Sequence, residues 1–244
     1  MTERNYLIHY FSRLGKELPI LSEAVHHEMG VNDVHDLRLC VRKLRAVLWL
    51  LKKSSPSIRF RKYENKLRDL GHVLAEVREL DVAIHGAKKF QIHRKLLKHK
   101  RKRARKHLRE STHKKTISRV GVLSAEVIDC LRGYDTISFN QAAEKLCSQI
   151  NTLFKNGKIN SKDLHKMRIC FKSARYTLDA LGRSGSPLKP IIEYLGDAHD
   201  LQVLQAMTHE HKDAKNKETS LNQLAIKIAG SALKYSLCEL QHIR

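Results

Sequence analysis

The sequence predicts an all-α protein, because helical periodicity recurs along the chain and no useful stretch alternates apolar and polar residues as a strand does. Only four prolines and eleven glycines occur in 244 residues, which leaves room for long helices. Hydrophobic residues make up 41% of the chain and are well spread, as in proteins that fold around a core. We therefore expect one large helical domain or two smaller ones.

The first helix is predicted over residues 3–29, where apolar residues recur at helical spacing. Pro19 is expected to divide or kink this helix, because proline removes a backbone hydrogen bond. Gly30 is the predicted stop, and Asn32 or Asp33 is the predicted N-cap of the helix that follows.

The other predicted helices lie between segments rich in serine, glycine, asparagine and proline, which favour turns. A single basic helix is expected across residues 82–115 rather than a disordered tail. The remaining helices are predicted at about 33–53, 58–78, 118–132, 138–155, 161–182, 187–208 and 213–242. Gly182 is the predicted end of the fifth of these.

Two of the predicted helices repeat one pattern of cations. Val34–Leu51 reads VHDLRLCVRKLRAVLWLL, and Leu164–Leu181 reads LHKMRICFKSARYTLDAL. Each residue of a helix advances by about 100°, so one histidine and three cations fall within one arc and the apolar residues on the opposite side. We call these sets the first row (His35, Arg38, Arg42 and Arg45) and the second row (His165, Arg168, Lys172 and Arg175).

The chain carries 47 Lys and Arg against 25 Asp and Glu, a formal net charge of +22. Like charges three or four positions apart destabilise an isolated helix by about 0.2–0.5 kcal/mol per pair, so two such rows imply a use. The excess favours a polyanionic partner: nucleic acid, an anionic membrane surface or an inorganic polyanion. Arginine offers forked donors that suit phosphate oxygens, and lysine offers a point charge.

A second repeat follows each row, since LAEVRELDV at Leu74–Val82 aligns with LGDAHDLQV at Leu195–Val203. Arg78 aligns with His199, and acidic residues coincide at two positions. The aligned acidic pairs are Glu76 with Asp197 and Glu79 with Asp200. These acids are expected either to hold cations of the rows in position or to lie on the surface. The repeats together predict two antiparallel helical bundles related by a pseudo-twofold axis.

Residues 94–115 form a strongly basic run, expected either to extend the anion track beyond the rows or to serve only as a soluble face or nonspecific nucleic-acid tail. Aromatic residues are 6% of the chain and are not interleaved with these cations, so stacking on bases is poorly supported. We therefore expect a polyanion without bases. The predicted extension comprises Arg78, Lys98, Arg101, Lys102, Arg105 and His199.

Five cysteines without any C-x-x-C spacing indicate neither a disulfide framework nor a zinc ribbon, and they favour a reducing cytoplasm. Cys40 and Cys170 are expected to be small buried apolar residues. The first residues show no apolar run of the signal-peptide type, and no apolar stretch is long enough to insert into a membrane.

Enzymatic function has weaker support. The dipeptides His35-Asp36 and His199-Asp200 are similar to those of helical metal-dependent phosphohydrolases, but no converging set of metal ligands follows from their spacing. No glycine-rich phosphate loop occurs, and no Ser-His-Asp or Cys-His pairing can be argued. We therefore expect no metal and no other cofactor, and hydrolysis remains an alternative.

The two rows, each with the pattern H-x-x-R-x-x-x-[RK]-x-x-R and each followed by an acid-Leu segment, resemble the CHAD (conserved histidine α-helical domain) family. The matching segments are VHDLRLCVRKLR, VRELDV, LHKMRICFKSARY and AHDLQV, which together span nearly the whole chain. The resemblance implies a single CHAD-like domain over residues 1–244, made of two helical bundles, 1–117 and 118–244, with pseudo-twofold symmetry.

The resemblance also implies non-enzymatic binding of inorganic polyphosphate in a basic groove or pore lined by the two paired helices. The binding residues that it implies are His35, Arg38, Arg42, Lys43, Arg45, His165, Arg168, Lys172 and Arg175. Ser173 stands opposite Lys43, so the second row is expected to bind less strongly. The leading hypothesis is a cytoplasmic polyphosphate-binding protein associated with polyphosphate granules, and nucleic-acid binding through the basic run is the first alternative.

Overall fold

The computed structural model describes residues 2–54, 58–89, 94–112, 124–129, 131–132, 139–155, 161–208 and 212–241. Every regular element in this part of the chain is helical, so the predicted all-α class is confirmed. The chain divides into two compact units, Met1–Ile137 and Ser138–Arg244. The predicted halves, residues 1–117 and 118–244, and the pseudo-twofold symmetry between them are not tested by this division and stay predictions.

The first unit is a closed bundle of long helices. They are α1 (Glu3–His27), α2 (Val31–Ser54), α3 (Ile58–Lys89) and α4 (Lys95–Ser111). Helix α2 packs against α1 and α3, and α4 packs against α3 and α1. Residues 124–129 add a short helical segment, which a 2.6 Å hydrogen bond between the buried hydroxyls of Ser124 and Tyr63 joins to the bundle.

The second unit has its own set of packed helices. They are α5 (Asn140–Lys155), α6 (Ser161–Ala180), α7 (Lys189–Thr208) and α8 (Lys212–Gln241), with a 3-10 turn at Ser186–Leu188. Helix α6 packs against α5 and α7, and α8 packs against all three. In each unit, the helix that carries a cation row packs against the helix before it and the helix after it.

The junction between α1 and α2 differs from the prediction. Helix α1 runs without a break through Pro19, so the predicted division into two helices is wrong. The left-handed residue after α1 is Met29, with φ of 52°, and not Gly30. Gly30 instead donates its N–H to Asp33 Oδ2 at 2.8 Å, so Asp33 caps α2 from within its first turn. Helix α2 therefore begins at Val31.

The single helix predicted across residues 82–115 is also wrong. Helix α3 ends at Lys89, and α4 begins at Lys95 and packs back against α3. The physical reason is a narrow apolar stripe: Leu97 and Leu108 are at most 2% exposed, whereas Leu96 is 59% exposed. A helix this basic is stabilised by burying that stripe against its neighbours.

Helix α6 ends at a glycine cap, as predicted. Gly182 has φ of 77°, in the left-handed region. The N–H of Arg183 donates to Leu178 O at 2.9 Å, and the N–H of Gly182 donates to Asp179 O at 3.4 Å. These two bonds satisfy carbonyls that the end of the helix leaves without a helical partner.

Gly182→Ala is expected to lower the free energy of unfolding by about 1 kcal/mol, because a Cβ disfavours the left-handed backbone. Gly196→Ala is the matched control, since Gly196 lies inside α7 and an added Cβ meets no atom within 4 Å. Because alanine has a higher helix propensity than glycine, Gly196→Ala is expected to raise the free energy of unfolding by up to about 1 kcal/mol. Urea denaturation followed by circular dichroism measures both changes, and shifts of the same sign contradict the prediction.

Candidate anion-binding site

The first row lies on the surface of the first unit because the opposite side of α2 is buried. Leu44 and the other apolar residues of that side are buried in the core. Of the row itself, Arg38 and Arg42 are half-buried. His35 and Arg45 are exposed as whole residues, although their charged groups are partly buried. The structure therefore keeps this predicted set together on one face of α2.

His35 interacts electrostatically with the neighbouring helix. Its pKa lies below the ordinary value, first because partial burial of the imidazole disfavours the charged form. Arg78 on α3 is the strongest of the charges that lower this pKa, and Asp36 opposes it. Arg38 and Arg42 add smaller repulsions. Arg78 thus interacts electrostatically with the first row, and its role in an extended anion track stays a prediction.

Arg45 reaches from α2 onto α3. Its Nη1 lies 3.3 Å from the position that a Cβ on Gly71 would occupy. Burial of the guanidinium lowers the pKa of Arg45, Glu64 opposes this effect, and Arg42 and Arg68 add to it. Sequence reasoning missed Gly71, although a glycine inside a continuous helix often marks a close approach.

The second row begins at a pair of histidines. The ring centroids of His165 on α6 and His199 on α7 lie 5.4 Å apart. Both residues line a small cleft together with Arg168, and Gln202 and Asn222 complete its wall. The structure thus brings His199 to the second row.

Arg175, at the other end of the second row, faces Asp179 of the same helix, and the loop after α6 binds Asp179 in turn. Its Nε lies 3.9 Å from Asp179 Oδ2, and Asp179 Oδ1 accepts the N–H of Gly185 at 3.0 Å. A Cβ on Gly185 would come within 2.7 Å of Arg175 Cγ, so only glycine fits there. Arg175 therefore has surroundings unlike those of its aligned residue Arg45, while Lys172 is half-buried between the ends of the row.

Lys43 lies apart from the first row. It lines a cleft of about 310 Å³ on the α1 side of α2, together with Glu17 and Asp36. One residue further along a helix is a turn of about 100°, which carries Lys43 away from Arg42. The structure does not bring Lys43 together with the row that the family resemblance places it in.

Among the predicted cations of α4, Arg101 and Arg105 are held by a carboxylate that sequence reasoning missed. Arg101 Nη1 and Arg105 Nη2 lie 3.1 and 3.4 Å from Asp81 Oδ1, and the Asp81 side chain is 1% exposed. The sequence signal that could have revealed this contact is Asp81 itself, an acid at a core position of α3, followed by a helix rich in cations. Lys98, Lys102, Glu76 and Asp197 are exposed, and Glu79 and Asp200 are half-buried.

A sequence model of the CHAD domain matches residues 20–209, more than half of the chain. The chain belongs to the CHAD family. This family is associated with polyphosphate binding. Comparison with curated proteins finds no match.

Two solved structures share this fold. The crystal structure of the CHAD domain from the plant Ricinus communis has a TM-score of 0.69 and 19% identity, over 100% of this chain and 93% of the plant chain. PptA from Streptomyces chartreusis has a TM-score of 0.62 and 12% identity, over 98% of this chain and 99% of that protein. At these identities the likeness supports the helical fold of this CHAD protein.

Within the described ranges, no group of three or more His, Cys, Asp or Glu residues is arranged to hold a metal ion. None of the helices described has the length and apolar character needed to cross a membrane.

Proposed function

We propose that this CHAD protein binds inorganic polyphosphate without catalysis, through the first row on α2 and the second row on α6. The observation that carries the proposal is the same relation within each unit. In the first unit Arg78 lies near His35, and in the second unit His199 lies beside His165. Each row is thus supplemented from the following helix at aligned positions of the sequence repeat.

Polyphosphate fits this arrangement because it presents the same charged group at every repeat unit. Each arginine fork binds two phosphate oxygens, and many such contacts release counterions from the polymer. Nucleic acid is a poorer fit, since four large aromatic side chains are fully buried in the cores and cannot stack on bases. These are Tyr63, Phe11, Phe139 and Phe171.

The proposal is tested by titrating the protein with long-chain polyphosphate at several salt concentrations. We expect the logarithm of the binding constant to fall linearly with the logarithm of the salt concentration, as counterion release requires. In competition, polyphosphate is expected to displace single-stranded RNA and duplex DNA far better than either displaces polyphosphate. No phosphate release is expected with Mg²⁺ or Mn²⁺. Stronger displacement by nucleic acid would contradict the proposal and favour the nucleic-acid alternative.

The affinity for polyphosphate is expected to rise as the pH falls through and below about 6.5, the ordinary pKa of histidine. In the protein without ligand, the pKa of His35 lies below that value, and bound phosphate oxygens favour the protonated imidazole. Binding therefore takes up a proton, and lower pH favours the complex.

Comparison of three proteins measures the contribution of His35 to this pH dependence. In His35→Gln the affinity is expected to vary less with pH than in the wild type. His9→Gln is the control, because His9 is exposed on α1, outside both rows. Equal pH dependence in the wild type and His35→Gln would remove His35 from the proposed site.

A further inference from the structure

A basic cleft lies between α4 and the end of α1, within the first unit. Its volume is about 720 Å³, within the range of small-molecule sites. Its wall is dominated by cations of α4, and Glu28 and Met29 close it from the α1 side. We call it the α4 cleft; it shares no lining residue with the first row.

Some cations of the α4 cleft are fixed in position by the protein. Buried Asp81 holds Arg101 and Arg105 through its Oδ1 atom. Arg109 Nε donates to the carbonyl oxygen of His26 at 3.1 Å, which ties α4 to the end of α1. These guanidinium groups therefore lose little conformational entropy when an anion binds.

The other cations of the α4 cleft are exposed. Lys98, Lys102 and Lys106 line the cleft, and no residue in the described part of the chain forms an ion pair with them. Their mutual repulsion destabilises the empty cleft, and an anion that neutralises them removes that cost. Fixed arginines and exposed lysines together form a surface suited to a dense negative charge.

The second unit has no equivalent concentration of charge. Helix α4 carries nine Lys and Arg against one acidic residue, whereas α8 carries five against three. Gln202, which aligns with Asp81 in the sequence repeat, donates to Glu218 Oε1 on α8 at 2.7 Å. At this aligned position, Asp81 of the first unit binds arginines of α4, whereas Gln202 of the second unit binds a glutamate of α8.

We propose that the α4 cleft is a second anion site that binds a compact oligophosphate, a small molecule with several adjacent phosphate groups. The cleft has the volume for such a ligand, and the described residues that line it include no Phe, Tyr or Trp to stack on a base. Inorganic oligophosphates and phosphorylated organic rings share this chemistry. The site uses residues other than the two rows, so it stands independently of the proposed polyphosphate site.

The probes for this site are sodium tripolyphosphate and inositol hexakisphosphate, each titrated separately. The imidazole NMR signals of His99, which lines the cleft, and of His35, in the first row, report on the two sites individually. We expect both probes to shift the His99 signal, and the tighter probe identifies the source of the phosphates. A His99 signal that neither probe moves at saturation overturns the proposal.

The variant Lys98→Gln/Lys102→Gln/Lys106→Gln is expected to weaken the binding reported by His99 at least about tenfold. The control Lys16→Gln/Lys62→Gln/Lys145→Gln removes the same charge from exposed positions outside the cleft and is expected to bind as the wild type does. If the cleft variant and this control bind the probes equally well, the proposed anion site in the α4 cleft is overturned.

Failure of the α4 cleft and failure of the row proposal give different results. Arg38→Gln/Arg168→Gln is expected to leave the probe affinity reported by His99 unchanged, because neither arginine lines the cleft. If that variant keeps full affinity for long-chain polyphosphate while the cleft variant loses the His99 response, the rows fail and the cleft stands. The reverse pair of results retains the rows and removes the cleft.

Discussion

The double variant Arg38→Gln/Arg168→Gln is expected to bind long-chain polyphosphate at least about 100-fold more weakly than the wild type at low salt. Each substitution removes one charge-assisted contact, which contributes about 1.5–3 kcal/mol. Glutamine keeps most of the aliphatic stem, so the packing of these half-buried side chains changes little. The effect is expected in both units, because Arg38 lies on α2 and Arg168 on α6.

Salt dependence separates a lost phosphate contact from a general loss of charge. Each removed contact is expected to reduce the slope of the log–log salt plot by about one. The matched control is Arg61→Gln/Lys145→Gln, which removes one exposed cation from each unit outside the rows. Its affinity is expected to stay within a few-fold of the wild type, because distant exposed charges are largely screened. Equal losses in the two double variants would show that only net charge matters.

Asp81→Ala is expected to lower the free energy of unfolding by about 2–3 kcal/mol. The Asp81 carboxylate is 1% exposed and accepts from both Arg101 and Arg105. Removing it leaves two positive groups facing each other across a buried position. Because both arginines are 27% exposed, water compensates part of the loss, which keeps the effect below that of a fully buried pair.

Urea denaturation measures this loss, with the far-UV circular dichroism of the folded state as a check on helix content. Asp69→Ala is the control, since its side chain is 73% exposed and lies 3.7 Å from Arg68. An exposed pair of this kind contributes at most about 1 kcal/mol, so a much smaller change is expected. A loss no larger than that of the control would show that Asp81 does not stabilise the contact between α3 and α4.

The fold class and the faces of α2 and α6 were predictable because they depend on local periodicity. Apolar residues at helical spacing place Leu44 in the core and the first row on the surface. The end of α6 was predictable for a similar reason, since the cap at Gly182 needs only the backbone around it. Neither prediction requires knowledge of which helices are neighbours.

The features that sequence reasoning missed depend on neighbouring elements. Met29 takes the left-handed conformation because Gly30 is engaged by Asp33, a contact that a glycine rule does not contain. Asp81 lies in the sequence repeat, but the acids that coincide in that repeat are at other positions. Its partners come from α4, which had been predicted as a continuation of α3. Such contacts follow from packing, which one sequence pattern does not specify.

The position of Lys43 shows the same distinction within a single helix. Periodicity alone places it about 100° from Arg42, and the structure places it in the cleft with Glu17. Its inclusion with the first row came from the family resemblance. A role of Lys43 in anion binding stays a prediction.

At Gly71, thermodynamic stability competes with the proposed role of Arg45 in anion binding. A glycine inside a helix costs about 1 kcal/mol relative to alanine, so stability alone favours replacement. At Gly196 nothing opposes that change, but at Gly71 the added methyl group would meet the Arg45 guanidinium at 3.3 Å. Engineering this protein for heat resistance would therefore benefit from replacing Gly196 and from leaving Gly71 in place.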